Sequence, residues 1–182
     1  GASPVAIQSI KLNSGLVNKK DYKEIRMPWN AGIQAMSDGK LDAFIRPAGV
    51  GAASMEQIGA KRKFRLLGVN PKKLAKFMAT PDRVFVKIPA GTYKNQVGND
   101  KDVLVDGFRH QLAVRKDMSD DLVYKITKTI FDNLDNMKKS AITLKDISLD
   151  DPFTGGNIPL HPGAVRFYKE KGKKIPAKLA GG

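Results

Sequence analysis

Apolar positions along the first half of the chain alternate between helical spacing and short extended runs. Ser3 and Pro4 suit the start of a helix, and Gly15 suits its end. Later helices are predicted to begin at the cap Asn30, at a capping box formed by Ser54, at Asn70, after Asp117 and Ser119, and at Pro162, which follows His161. Extended stretches lie between the early helices, at residues 22–27, 41–45, 64–69 and 84–88. This alternation predicts an α/β unit with a largely parallel sheet.

The pattern changes after Pro89. A long extended stretch is expected over residues 103–114, followed by the longest helix of the chain, whose apolar stripe runs from Val123 to Met137. The last helix has Pro162 in its first turn and Gly172 just past its end, which is the usual asymmetry of helix termini. Both helices carry apolar faces that need a partner layer.

Composition fits a folded globular protein, with 41% hydrophobic and 27% charged residues. No cysteine is present, which excludes disulfides and thiolate metal sites. His110 and His161 lack a third ligand at metal-like spacing, and no nucleophile–base pattern is visible. We therefore expect no metal, no cofactor and no catalysis.

The net charge of +14 is the unusual quantity, with 32 Lys and Arg against 18 Asp and Glu. Nucleic acid, an anionic membrane or a small anion could each complement it. Zinc-finger spacing, stacking aromatic strands and a concentrated basic arm are all missing, so nucleic acid is not the expected partner. A basic interaction module that binds nucleic acid or an anionic surface stays open as the alternative.

Four stretches carry a family resemblance, and they occur in the family's order: Asp38–Phe44, Ile88–Tyr93, Asp120–Asn133 and Ile158–Gly172. The last contains Leu-His-Pro-Gly-Ala followed by Arg-Phe-Tyr. Together they resemble the TAXI family of solute-binding proteins, the extracytoplasmic receptors of TRAP transporters. The resemblance spans nearly all of the chain.

The resemblance implies a bilobed periplasmic-binding-protein-like fold that closes on one small solute. Residues 1–100 would form the second lobe, and residues 101–182 the return strand and the helices that complete the first lobe. The N-terminal part of the first lobe would be absent. We then expect a periplasmic location, TRAP membrane components as partners, weakened solute affinity and self-association of this chain through exposed apolar faces.

Five residues are candidate solute contacts: Ala2, Ser3, Arg46, Gly49 and Tyr93. Ala2 and Ser3 correspond to the family's anion-binding turn at a helix N-terminus, although the next residue is a proline that has no N–H to donate. Arg46 follows a predicted strand and could pair with a carboxylate, and Gly49 would admit the solute near the backbone. The hydroxyl of Tyr93 could reach the cleft.

Each candidate also has a purely structural interpretation. Ser3 could be a plain helix cap, Arg46 a surface side chain, and Tyr93 an anchor for its turn. Trp29 is expected to pack against its own helix rather than on a ligand. The predicted solute is a small organic anion, such as a dicarboxylate or an acidic amino acid, and an enzyme of the same bilobed shape is the remaining rival.

Overall fold

The computed structural model describes residues 3–141 and 144–181, with Ser3 described by its backbone alone. Helices occupy α1 (Ser3–Ser14), α2 (Trp29–Ser37), α3 (Ala53–Lys61), α4 (Pro71–Leu74), α5 (Asp120–Asp132), α6 (Leu134–Ser140) and α7 (Pro162–Glu170). The strands are β1 (Arg83–Ile88) and β2 (Val103–Phe108), and one turn of 3₁₀ helix covers Ala177–Leu179 near the C-terminus. Among these residues no helix has both the length and the apolarity needed to cross a membrane.

The chain divides into two compact units. Unit 1 comprises Gly1–Ala79 and Phe85–Gly107, and unit 2 comprises Thr80–Val84 and Phe108–Gly182. The predicted division at residue 100 into lobe-two and lobe-one portions stays a prediction, as does a bilobed architecture. Helices combined with a small sheet are consistent with the α/β class expected from the sequence.

The sheet contains β1 and β2. At one end the amide of Arg109 donates to the carbonyl of Asp82, and beyond the other end the amide of Gly91 donates to the carbonyl of Asn99. This pairing is antiparallel, so the prediction of a largely parallel sheet was wrong for these strands: the described residues between β1 and β2 contain no helix that could carry a parallel crossover. The prediction of a strand at 84–88 is therefore confirmed, and that of an extended stretch over 103–114 holds as a strand only to Phe108.

The predicted sheet was too large. Residues 64–69 follow residues 95–104 in the parallel direction, because Val97 donates to the carbonyl of Phe64 and Val69 donates to that of Leu104. Only Phe64 and Gln96 form a bridge there. Residues 22–27 and 41–45 form no strand in the part of the chain that the structure describes. An apolar extended pattern shows that a segment is straight and half-buried, but a strand also needs a paired neighbour.

The core of unit 1 is built from α3, the turn after β1 and the segment at residue 64. Ile58, Phe64, Ile88 and Tyr93 are its fully buried members. The rings of Phe64 and Tyr93 meet edge to face, with centroids 6.0 Å apart. Side chains from α2 and from the segment around Phe44 pack on the same cluster.

The core of unit 2 is the contact between α5 and α7. Phe167 is fully buried, and its ring stacks on that of Phe131 with centroids 5.4 Å apart. Tyr124 meets Phe167 edge to face, and its hydroxyl donates to Glu170 at 2.6 Å. These rings make the apolar stripe of the long helix and that of the last helix into one core.

Several predicted helix ends are confirmed. Ser119 caps α5 by accepting from Leu122, and Asn70 caps α4 by accepting from Lys72. His161 caps α7, with Pro162 at its first position. Gly172 ends α7 at φ 68°, and Gly15 follows α1 at φ 83°.

Other predicted starts and lengths were wrong. Pro28, not Asn30, precedes α2, and α3 is preceded by Ala52 with no side-chain cap, so the capping box at Ser54 does not form. The longest helix ends at Asp132, since Asn133 has a φ of −106° and a ψ of 12° and lies outside helical geometry; its side chain also donates to the carbonyl of Thr129. A separate helix, α6, continues from Leu134.

Candidate functional site

The candidate site lies in unit 1, where the start of α2 meets the segment that leads to α3. Gly32 of α2 is buried because the ring of Phe44 packs on its backbone. A Cβ added at Gly32 would overlap this ring, with Cζ of Phe44 only 2.9 Å away. The absent side chain therefore fixes how closely residues 41–46 approach α2.

This contact brings Trp29 and Arg46 together. Trp29 lies one helical turn before Gly32, so both present the same face of α2. Arg46 lies two residues after Phe44 in an extended segment, so both point to the same side. The guanidinium Cζ of Arg46 consequently lies 5.3 Å from the centroid of the Trp29 ring.

Neighbouring groups fix the position of the Arg46 side chain, but they use only part of its hydrogen-bonding capacity. Its Nε donates a long hydrogen bond, 3.4 Å, to the carbonyl of Pro47, and its guanidinium rests on the indole. Its terminal nitrogens have no hydrogen-bond or ion-pair partner among the described residues. A cation–π contact holds the cation without using these N–H groups, so they remain free for an anion.

A tight turn connects this region to α3. The amide of Ala52 donates to the carbonyl of Gly49, and Gly51 has φ 81°, a conformation that glycine adopts without strain. The hydroxyl of Tyr93 accepts from the amide of Gly51 at 3.0 Å, and Tyr93 is 2% exposed. Tyr93 thus anchors the turn, and its contact with a solute stays a prediction.

The turn ends at the N-terminus of α3, where the first amides have no acceptor within the helix. Ala52 offers no side chain to cap them. The hydroxyl oxygen of Ser54 is buried in the first turn and has no partner in the residues that are described. Free donors therefore occur at both ends of the segment from Arg46 to Ser54, and Gly49 lies between them.

Electrostatics favour an anion in this unit. Unit 1 holds 17 of the Lys and Arg residues against 8 Asp and Glu, which leaves +9 of the net +14. A positive field of this size concentrates small anions near its surface. The candidate site thus lies in the more basic of the two units.

A groove of about 510 Å³ lies between α2 and α3. Two of its polar side chains share one partner: Gln34 donates to Asp38 at 2.7 Å, and Lys61 forms an ion pair with the same carboxylate. The hydrogen bond from Gln34 and then the charge of Lys61 hold the pKa of Asp38 below its ordinary value. The side chains of Gln34 and Lys61 are therefore engaged within the groove, whereas the terminal nitrogens of Arg46 are not engaged by any described residue.

A model of the NMT1-like family matches residues 5–172, which is nearly the whole chain. The chain belongs to the NMT1-like family. This is a periplasmic-binding-protein-like family, so membership supports a solute-binding role in general. The matched span includes Arg46, Gly49 and Tyr93.

Two of the predicted contacts cannot be placed in this NMT1-like chain. Ala2 and the side chain of Ser3 lie outside the described residues, so the anion clamp expected there stays a prediction. Arg46 and Gly49 lie in one segment, and Tyr93 supports the turn that follows Gly49. They are not one cluster around a ligand, because Tyr93 is below the turn and Arg46 is held by Trp29.

Sequence reasoning missed Trp29. The expectation was that its ring packs on its own helix, but 47% of Trp29 is exposed and the ring carries Arg46. It also missed Ser54, which was assigned to a capping box and instead leaves a buried hydroxyl without a partner. Gly32 was the available signal, since a glycine inside a short helix often marks a close approach.

The histidines have structural surroundings. Nδ1 of His161 accepts from the amide of Gly163 at 3.2 Å, which agrees with the expected role at the helix entry. The ring of His110 lies 5.0 Å from that of Phe108. Within residues 3–141 and 144–181, no group of three or more His, Asp or Glu is placed to hold a metal ion.

Proposed function

We propose that this NMT1-like protein is the extracytoplasmic solute-binding component of a TRAP transporter of the TAXI type. Its solute is a small organic anion, such as a dicarboxylate or an acidic amino acid. Membership of a binding-protein family supports the general role. The four stretches that resemble TAXI receptors support the narrower assignment.

The proposal that the solute is an anion rests on the contacts of Arg46. Its guanidinium is oriented by Trp29, while its terminal nitrogens have no partner in the described residues. A carboxylate placed there would receive two parallel N–H···O bonds, a geometry that adds both energy and directional specificity to carboxylate recognition. Removal of such a charge-assisted pair costs on the order of 1.5–3 kcal/mol, or about ten- to a hundredfold in affinity.

The N-terminus of α3 supplies a second group of donors. Free amides and the helix dipole favour negative charge at this end of a helix. Ser54 adds a hydroxyl that has no other partner among the described residues. A solute with two acidic groups would use both sets of donors, which is why a dicarboxylate or an acidic amino acid is proposed rather than a monovalent ion.

The proposed role is binding without chemistry. The solute would be released to TRAP membrane components, which are the proposed partners, on the outer side of the inner membrane. No nucleophile paired with a base occurs in the segment from Arg46 to Ser54, which supports a receptor over an enzyme of similar shape. Self-association of the chain through exposed apolar side chains is a further proposal.

A thermal-unfolding screen tests this function. The full chain is melted with succinate, aspartate and glutamate, and in parallel with their neutral amides. Ligands that bind the native state raise the melting temperature by mass action. We expect acids to raise it and matched amides not to, with the effect lost in Arg46→Gln. Equal behaviour of acids and amides would overturn the anion assignment.

The basic-module alternative rests on the net charge of +14. It predicts binding to generic duplex DNA or anionic vesicles that weakens steeply with salt. A solute receptor predicts instead a rise in melting temperature with one class of acid, and a smaller rise or none with acids of other shapes. Tight, salt-sensitive DNA binding together with no response to any acid would favour the alternative.

A further inference from the structure

The pair of Trp29 and Arg46 has a feature that anion binding does not use. Trp29 is 47% exposed, although tryptophan is one of the most apolar side chains and is highly buried on average. Arg46 covers the ring from one side, with Cζ 5.3 Å from the centroid. A large part of an indole beside an unsatisfied cation is therefore open to solvent.

Packing and backbone contacts fix the position of this indole. Phe44 packs on Gly32 and fixes the extended segment against α2, which places Arg46 over Trp29. Pro28 precedes the helix at φ −57°, and its carbonyl accepts from the amide of Gly32. Backbone constraints on both sides thus hold the ring at the edge of the proposed anion site.

An indole face and a guanidinium plane both favour contact with a flat group. Aromatic pairs gain from stacked or edge-to-face contact beyond the area they bury, and guanidinium groups stack on flat π systems. A saturated, puckered group of equal size buries similar area without these contacts. A flat group joined to a carboxylate would contact the ring while its charge meets Arg46.

We propose that the solute carries a flat unsaturated or aromatic group next to its carboxylate, and that this group packs on Trp29. The inference rests on the proposed function, because it places the carboxylate of the same solute on Arg46. It narrows the class from organic anions in general to planar, conjugated acids. Trp29 is then a specificity-determining residue of the site.

Isophthalate and cis-cyclohexane-1,3-dicarboxylate are the matched probes, since they share charge and ring size and differ in planarity. Trp29 is the only tryptophan of the chain, so its indole N–H gives one unambiguous peak in a ¹H–¹⁵N spectrum. Each acid is titrated into the full chain and the dissociation constant is fitted from peak shifts. We expect isophthalate to bind about threefold to tenfold more tightly and to shift the indole peak more strongly.

Variants separate the planar preference from the charge. Trp29→Leu keeps an apolar side chain and should bind both acids equally, whereas Trp29→Phe keeps a ring and should retain the preference. Both changes are at an exposed position, so little effect on folding is expected. Arg46→Gln should weaken the binding of both acids by the same factor. In the Trp29 variants, which have no indole peak, the backbone amide peaks of α2 report binding.

The outcomes distinguish this inference from the proposed function. Equal affinity for the two acids in the parent chain, with both lost in Arg46→Gln, would overturn the planar preference and leave the anion site standing. A preference that persists in Trp29→Leu would overturn the role of Trp29. Absence of binding by either acid would overturn both the inference and the anion site.

Discussion

The ring of Phe44 lies directly on the backbone of Gly32, at a point in α2 where a side chain would not fit. This contact aligns the extended segment that ends in Arg46 with the helix that begins at Trp29. The geometry of the proposed anion site therefore depends on a glycine that is not itself expected to touch a solute.

The change Gly32→Ala tests this dependence. The added Cβ would overlap the Phe44 ring and displace it, and overpacking of this kind costs about 1–3 kcal/mol. We expect a lower free energy of unfolding in urea and, in addition, weaker binding of acids. Ala31→Ser, on the exposed side of the same helix, should change stability by less than about 0.5 kcal/mol. Equal stability of the two variants would contradict the close contact.

Tyr93→Phe tests the anchor beneath the turn. The buried hydroxyl of Tyr93 accepts from the amide of Gly51, and its loss leaves that donor unpaired at a cost of about 1–3 kcal/mol. Tyr22→Phe is the matched control, since the hydroxyl of Tyr22 is buried but has no partner among the described residues. We expect urea denaturation to show a clear loss for Tyr93→Phe and none for Tyr22→Phe. The reverse order would refute the anchoring role.

Gly163 is the corresponding close contact in unit 2. A Cβ there would overlap the carbonyl of Asp120 and lie 2.8 Å from the amide nitrogen of Tyr124. Because backbone atoms of α5 cannot yield as a flexible side chain can, Gly163→Ala should cost about 3 kcal/mol or more and separate α7 from α5. Gly172→Ala meets no atom within 4 Å and should cost only about 1 kcal/mol, from its φ of 68°. Thermal unfolding followed by near-UV circular dichroism would compare them, and a larger loss for Gly172→Ala would contradict this packing.

The contacts of Asp102 predict that the free energy of unfolding depends on pH. The amide of Ala90, and after it Lys87, hold the pKa of Asp102 below its ordinary value of 3.8. A carboxyl whose pKa is lowered by folding stabilises the native state above the ordinary pKa, and this contribution is lost as the pH falls through the lowered value. The variant Asp102→Asn should therefore show a smaller loss of unfolding free energy on acidification than the parent chain.

The control for Asp102 is Asp100→Asn. Asp100 is exposed and makes no hydrogen bond or ion pair within the described residues. Urea titrations at a series of acidic pH values should give the parent slope for this variant. If Asp102→Asn also gives the parent slope, the contact with Ala90 does not contribute to acid stability.

Local sequence signals predicted most helix ends correctly. His161 and Ser119 cap their helices by accepting from amides two and three residues further along the chain. The local sequence therefore contains nearly all that these caps require. The break at Asn133 was missed because the apolar stripe continues past it to Met137. Periodicity alone does not record a local departure of one residue from helical geometry.

Nonlocal pairing was predicted less well. The pattern of residues 41–45 predicted a strand, but Phe44 uses its side chain to pack on α2, and the segment gains no paired strand among the described residues. Arg46 could be named from its residue type and position, whereas its support could not. Its contact with Trp29 depends on the distance between α2 and this segment, which Gly32 sets.

Calorimetric titration of the chain with the acid that most raises its melting temperature tests the central claim most directly. The account predicts one site per chain, with affinity about tenfold to a hundredfold weaker in Arg46→Gln. Arg46→Lys should give an intermediate affinity, because lysine keeps the charge but not the planar fork. Identical affinity in the parent chain and in Arg46→Gln would show that the anion binds elsewhere and would contradict the account.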